Sequence, residues 1–297
     1  MNNRIPLIEN AGTIFSRVIV KIKVRSELPE FPFGLSRLDE ITHGLSRERV
    51  SIIAARTSEG KTSFAAQTAF KLADAEHTVA YISLEDDREQ IIEKLFCNVC
   101  EIDNSELKKG FNPLFESRKV TAERIFENLK LLTLDGFGYN FNEFKTLVQS
   151  VQPKPDVVFL DYIQMMDSAY KESRWDAISE YIRNLKKFSL EEKIATVVLS
   201  QVNRIGAEAT RPGLHHLKQA GTLEEVADLV MILYYPFRYG DSSFDYDRKS
   251  GRGMEYAPHN YIEIQVKKNK TGRTGIVPVR FLGQHYRFED WKEATYA

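Results

Sequence analysis

VSIIAARTSEGKTSF, residues 50–64, decides the fold. Val50 to Ala55 is a short apolar run of the kind that forms a buried strand, Arg56 to Gly60 is polar and turn-forming, and a helix is predicted to begin near Lys61. A strand, a Gly-containing turn ending in Gly-Lys-Thr and a helix fit the phosphate-binding P-loop pattern, with Ala55 in place of its first glycine. In such a loop successive backbone N–H groups curl around phosphate oxygens, and the helix N-terminus adds partial positive charge. Ala55, Arg56, Thr57, Ser58, Glu59, Gly60, Lys61, Thr62 and Ser63 are therefore the expected nucleotide-binding residues. Lys61 would reach the β and γ phosphates and Thr62 would hold Mg²⁺.

A chance Gly-Lys-Thr at a strand-to-helix turn is the bland alternative. Against it stands PDVVFLDY (155–162), an apolar run ending in Asp161, as a buried strand that delivers a carboxylate to the Mg²⁺ shell should be. The strand predicted over TVAYISLEDD (78–87) leads to Glu85, at the sheet edge where open α/β folds bind ligands. There a carboxylate orients water and takes up its proton. Without the P-loop, Glu85 would read as a solvated residue beside Asp86 and Asp87.

Further β-rich runs at LKLLTL, ATVVLSQ and ADLVMILYY alternate with amphipathic stretches, which predicts an α/β fold with a mainly parallel sheet flanked by helices. YIEIQVKKN and TGIVPVRFL, joined by a turn at Lys270 to Gly275, predict a C-terminal β-hairpin on one edge. The polar, Gly-rich segment from Tyr235 to His259 reads as a mobile surface loop. Residues 1–30 read as an N-terminal arm, set off by PEFPFGL from one motor-sized domain at 31–297.

With 41 basic and 42 acidic residues among 297, the net charge of -1 gives no global pull toward nucleic acid, so any such contact must be local. The apolar share of 42% and charged share of 28% exclude a mainly disordered chain. No apolar run approaches the roughly 18 residues that span a bilayer, and MNNRIPLIEN lacks a secretory core, so a cytoplasmic protein without membrane contact is expected. Cys97 and Cys100 form one Cys-x-x-Cys pair without a second pair or nearby histidine, inside a helical pattern, so buried thiols are expected.

From Phe33 to Phe288 the chain resembles the RecA-like motor domain of DnaB-type replicative helicases. PFGLSRLDEITHGL, ARTSEGKT, ISLED, FLDYIQMM and VVLSQVNR match its motifs in order, and Ala in place of the first P-loop glycine is normal in that family. The resemblance implies that Gln201 senses the γ-phosphate. In IQVKKNKTGRTG it puts Lys268 on a lysine, and Lys270 on an arginine finger, of a turn that reaches the neighbouring subunit's ATP; Arg273, three residues on, could substitute. LKQAGTLEEVADLVMIL resembles the helix and strand after a DNA-binding loop, with Lys218 and Gln219 where the family usually has Arg and Glu.

The implied activity is ATP hydrolysis with Mg²⁺, driving a homo-oligomeric ring, a hexamer by resemblance, 5′ to 3′ along single-stranded DNA during replication. DNA contacts would come from two loops, one carrying Lys171 and Arg174 and the other Arg204, Arg211 and Lys218. The implied partners are single-stranded DNA, further copies of the chain, and a primase or helicase loader. Ring assembly is expected to use the short arm rather than the family's helical N-terminal domain. A RecA or RadA-like recombination ATPase and an accessory or loader ATPase without unwinding activity are the competing readings.

Overall fold

The structure is a computed structural model, and it describes residues 9–23, 29–110, 113–135, 139–163, 174–202, 211–217, 220–241 and 259–292. Its elements run α1 (Ala11–Lys23), α2 (Ser36–Thr42), β1 (Val50–Ala55), α3 (Lys61–Asp74), β2 (Val79–Ser83), α4 (Arg88–Cys100), α5 (Asn104–Lys108), α6 (Pro113–Glu127) and β3 (Leu131–Asp135). There follow α7 (Phe141–Ser150), β4 (Val157–Asp161), α8 (Arg174–Glu192), β5 (Ala195–Gln201), α9 (Ala220–Val226), β6 (Leu229–Tyr234), β7 (Tyr261–Asn269), β8 (Gly275–Leu282) and β9 (Arg287–Asp290).

All the strands belong to one nine-stranded sheet of order β3-β2-β4-β5-β1-β6-β7-β8-β9. From β3 to β6 neighbours pair in parallel; from β6 to β9 they are antiparallel. The predicted hairpin β7–β8 is thus extended by a third strand, β9, which the sequence reading missed. At four residues, β9 is too short to show a period of its own.

Alternation along the buried strands splits the core in two. Ile53, Tyr81, Phe159, Val197 and Leu199 pack on one face with Phe64, Ala65, Ala69 and Leu72 of α3. Ile52, Ile82, Val158, Leu160 and Val198 pack on the other with Phe144 of α7 and Ile182, Leu185 and Phe188 of α8. Strands covered on both faces have no polar side to show, which is why β1, β2, β4 and β6 read as unbroken apolar runs.

Phe31 and Phe33 of the PEFPFGL segment are fully buried in the first of these cores. In the preceding arm, α1 leaves Ile14, Phe15, Val18 and Val20 exposed. Asp87 caps α4 by accepting from the Gln90 N–H at 2.8 Å, and both cysteines of that helix are buried thiols. The expected loop from Tyr235 to His259 is ordered at its start, where Pro236–Tyr239 makes one 3₁₀ turn; residues 242–258 lie outside the described residues. Pro236 sits in the first turn, with its fixed φ suited to that conformation. Among the described residues, no helix is long and apolar enough to cross a membrane.

Candidate nucleotide site and the opposite sheet edge

Register brings the chemistry to one edge. Ala55, the last residue of β1, pairs with Gln201, the last of β5, and Ser83, the last of β2, pairs with Asp161, the last of β4. Because these strands are parallel, all of them end on the same side, and the loops that follow share a cavity of about 440 Å³. Lys61, Thr62, Glu85 and Gln201 line it, as do Ala55 to Ser58, Gly60 and Ser63.

Gly60 carries the turn at φ +83°, a left-handed conformation that suits glycine. A Cβ there would also lie 2.9 Å from Cζ of Phe288 and 3.1 Å from Cζ of Phe281. Lys61, the first residue of α3, places Nζ 3.0 Å from Oδ1 of Asp161 and 4.2 Å from the centre of the Tyr162 ring. The Tyr81 hydroxyl donates to the other Asp161 oxygen at 2.8 Å, and burial beside that carboxylate raises the phenol well above its ordinary pKa. Asp161, 1% exposed, is thus held by a cation and a phenol.

Burial raises the pKa of Glu85; the charge of Lys61 opposes this, and those of Asp161 and Asp86 reinforce it. Gln201 Nε2 donates to the Thr57 hydroxyl at 2.5 Å, joining the end of β5 to the loop. Glu59 departs from expectation. Alone in the stretch from Ala55 to Ser63 it does not line the cavity; its carboxylate is 1% exposed and accepts from the Tyr239 hydroxyl at 2.7 Å and the Arg56 N–H at 3.2 Å. A nonpolar environment forces a buried carboxylate to find donors, and these two turn it away from the phosphate side.

Several lining residues went unnoticed in the sequence. Tyr162 follows Asp161 directly and was legible as its neighbour, whereas Lys94, Arg238, Phe281 and Tyr286 come from distant segments that only the tertiary fold assembles. Phe281 and Tyr286 flank the 3₁₀ turn Gly283–His285 between β8 and β9.

The basic turn after β7 lies elsewhere. Asn269 pairs with Leu229 at the start of β6, and Leu229 pairs with Ser51 at the start of β1, so Lys270 and Arg273 occupy the sheet edge opposite the P-loop. Neither lines its own chain's cavity. Lys268 donates to the Glu224 carbonyl; its pKa is lowered first by burial and then by the charge of Lys270. Lys270 Nζ is 3.3 Å from Asp228, which also meets Lys186 at 2.6 Å and Arg49 at 3.4 Å. Burial opposes ionisation of Asp228, but the hydrogen bonds from Lys186 and the Val50 N–H and the nearby cations hold its pKa below the ordinary value. Arg273 is exposed, and its backbone N–H donates to the Ile41 carbonyl at 3.0 Å.

Of the residues expected at DNA, Lys171, Arg204 and Lys218 lie outside the described residues, and Arg174 opens α8 with its side chain outside them. Arg211 is held by carboxylates: Nε is 3.1 Å from Asp241, and the guanidinium also pairs with Glu263, which is 0% exposed. Its charge is neutralised inside the protein rather than presented on a loop.

A P-loop at the centre of a parallel sheet, with carboxylates and an amide on the neighbouring strand ends, defines a RecA-like nucleotide-binding domain. The chain belongs to the DnaB-like helicase C-terminal domain family, whose model matches residues 31–290. It is 28% identical over 295 residues to the replicative DNA helicase DnaB of Helicobacter pylori, covering 89% of this chain and 60% of the relative. Identity to the replicative DNA helicase DnaC of Bacillus subtilis is 28% over 273 residues, covering 89% and 57%; to DnaB of Haemophilus influenzae it is 29% over 301 residues, covering 96% and 62%. The chain therefore spans about 60% of the length of these curated relatives.

Among solved structures, an ATPase domain determined by itself superposes with a TM-score of 0.83 at 26% identity, covering 96% of this chain and 100% of that one. A DnaB-like replicative helicase, solved with its interactions with primase, gives a TM-score of 0.83 at 25% identity, covering 95% and 69%. These likenesses do not favour the recombination-ATPase reading.

Proposed function

We propose that this chain is the ATP-hydrolysing motor of a replicative DNA helicase, working as a ring on single-stranded DNA. The observation that carries the reading is a division of parts: Lys61, Asp161, Glu85 and Gln201 meet at one sheet edge, while Lys270 and Arg273 occupy the other. A site so divided is completed when the basic turn of one copy meets the cavity of the next. Relatives named replicative helicases support the same reading.

In this proposal the P-loop N–H groups and Lys61 bind the triphosphate. The Asp161 carboxylate and the Thr62 hydroxyl are hard oxygen donors, the chemistry that suits Mg²⁺ shared with substrate phosphates, so the residues present fit that ion. Bound there, Mg²⁺ would neutralise charge on the phosphates. Lys61 leaves Asp161 for the phosphates, Glu85 orients the attacking water and accepts its proton, and Gln201 transmits loss of the γ-phosphate to the loop after β5. Arg273 or Lys270 of an adjacent copy supplies positive charge to the transferred phosphoryl group, with Lys268 beside it.

The loops with Lys171, Arg174, Arg204 and Lys218 track the phosphate backbone of one strand. The arm at 1–30 lays the exposed apolar residues of α1 on an adjacent subunit of the motor domain at 31–297. A primase or a loader is the proposed protein partner, and the cytoplasm the proposed compartment.

The test is ATP hydrolysis by the purified chain with and without single-stranded DNA, and unwinding of forked duplexes with either tail blocked. The expected result is DNA-stimulated hydrolysis and unwinding that requires a free 5′ tail. Hydrolysis indifferent to DNA, with no unwinding of any fork, would instead support an accessory ATPase.

A further inference from the structure

We propose that Arg238 contacts the terminal phosphate of the nucleotide in cis, from a one-turn helix fastened to the P-loop by Glu59. The inference rests on the nucleotide-site reading above and adds a residue that neither its motifs nor its strand ends contain.

The chain leaves β6 at Tyr234 and turns at once through Pro236–Tyr239. Three contacts seat this turn on the P-loop. The Tyr239 hydroxyl donates to Glu59 at 2.7 Å, the Arg56 guanidinium lies 4.2 Å from the centre of the Tyr239 ring, and Arg238 donates to the Ser58 carbonyl at 2.8 Å. Tyr234 stacks on Tyr239 with ring centres 5.6 Å apart and planes within 9°, so the turn is also braced from the sheet.

A buried carboxylate inside a loop that receives a polyanion is electrostatically adverse, and Glu59 needs a reason to be there. Burial raises its pKa, while the Tyr239 hydroxyl, the Arg56 N–H and the charges of Arg56 and Arg238 pull it back. Its partners supply the reason: Glu59 is the anchor that holds Tyr239, and with it the adjacent Arg238, against the loop.

Arg238 is exposed on the lip of the cavity, and its guanidinium stands 4.9 Å from the centre of the Tyr235 ring. A guanidinium carries five N–H donors in a planar fork, and the Ser58 carbonyl engages one end of it. Other cations lining the cavity are already engaged, Lys61 by Asp161 and Lys94 by Asp86, whereas among the described residues Arg238 forms no salt bridge. Ser58 follows Thr57, the residue that Gln201 holds from the end of β5, so Arg238 stands toward the terminal phosphate. Lysine occupies position 270, where the resemblance expects arginine, and a cis guanidinium would restore forked donation to the phosphoryl group.

The test compares equilibrium binding of a fluorescent non-hydrolysable ATP analogue and of fluorescent ADP, both with Mg²⁺, to the wild type, Arg238→Ala, Arg238→Lys, Tyr239→Phe and Lys61→Ala. Arg238→Ala is expected to weaken the triphosphate by roughly tenfold or more and the diphosphate by less than about threefold, in line with loss of one charge-assisted hydrogen bond. Arg238→Lys should recover part of the difference. Tyr239→Phe, which frees the turn and keeps the guanidinium, should show a smaller loss of the same selectivity. Equal weakening of both nucleotides by Arg238→Ala, or none, with Lys61→Ala still abolishing binding, overturns the proposal and leaves the site reading intact. Full binding by Lys61→Ala removes the site reading and this inference together.

Discussion

Lys270 Nζ lies 3.3 Å from the carboxylate of Asp228, at the foot of β6 and across the sheet from Lys61. The carboxylate is 7% exposed and the lysine side chain 44%, so the pair is wet on one side and weakly held. Lys186 remains on Asp228 at 2.6 Å when Lys270 departs, so the carboxylate is never left bare. Three residues on, Arg273 is exposed, and its N–H fastens the turn to α2 through the Ile41 carbonyl. Gly272 packs so closely there that a Cβ would lie 2.3 Å from the same carbonyl oxygen.

Arg273 is therefore the stronger candidate for the trans contact. Arg273→Ala should lower the turnover number by about 10³-fold, the lower range for removal of an arginine finger, with nucleotide affinity unchanged. Lys270→Ala should cost less than about tenfold by the same measure. Mixing Arg273→Ala with Lys61→Ala protein should restore turnover, because each contributes the half that the other lacks; no recovery in the mixture argues against a shared site.

Lys61 and Asp161 form a pair with side chains 11% and 2% exposed. Removal of one partner of a buried pair costs about 3–5 kcal/mol, and the Tyr81 hydroxyl that stays on Asp161 puts the expected cost near the lower end. Lys61→Ala should thus melt at a lower temperature than wild type even without nucleotide, as well as losing nucleotide binding. Lys61→Ala, Asp161→Asn should melt higher than the single variant. An unchanged melting temperature in Lys61→Ala would mean that the pair contributes nothing to the fold.

Glu85 must be ionised to accept a proton from water. Burial raises its pKa, Lys61 pulls it down, and Asp161 and Asp86 push it up again. The net shift is upward, so turnover is full above the raised value and falls as pH drops through it, at a higher pH than for an ordinary glutamate. Asp86→Asn removes one raising charge and frees Lys94, so the acid limb of the turnover profile should move to lower pH. Glu85→Gln should bind nucleotide and not hydrolyse it.

Parts of this site were legible in the sequence because their chemistry is local. Gly60, Lys61 and Thr62 are consecutive, Asp161 ends an apolar run, and the run itself shows that β4 is buried. Glu59 was misassigned because its role depends on Tyr239, which lies far along the chain and is brought near by the β1–β6 pairing. The same pairing hides Arg238. The place of the basic turn followed from strand direction, which no residue of the turn reveals: β7 runs antiparallel to β6, so its end meets the beginning of β6.

Arg211 was expected at DNA and is instead clasped by Asp241 and Glu263. Glu263 is 0% exposed, and Gln265 Nε2 donates to it at 2.8 Å, a neutral partner that cannot replace a cation. Arg211→Met should therefore destabilise the protein by about 3 kcal/mol, the cost of leaving a buried carboxylate without its partner. If Arg211 is structural, the slope of log affinity for single-stranded DNA against log salt should stay the same in this variant, because no phosphate contact is lost. Arg204→Ala should instead lower that slope by about 0.7 for each phosphate contact removed. A reduced slope in Arg211→Met, with the melting temperature unchanged, would return Arg211 to the DNA surface and make its pairing with Glu263 incidental.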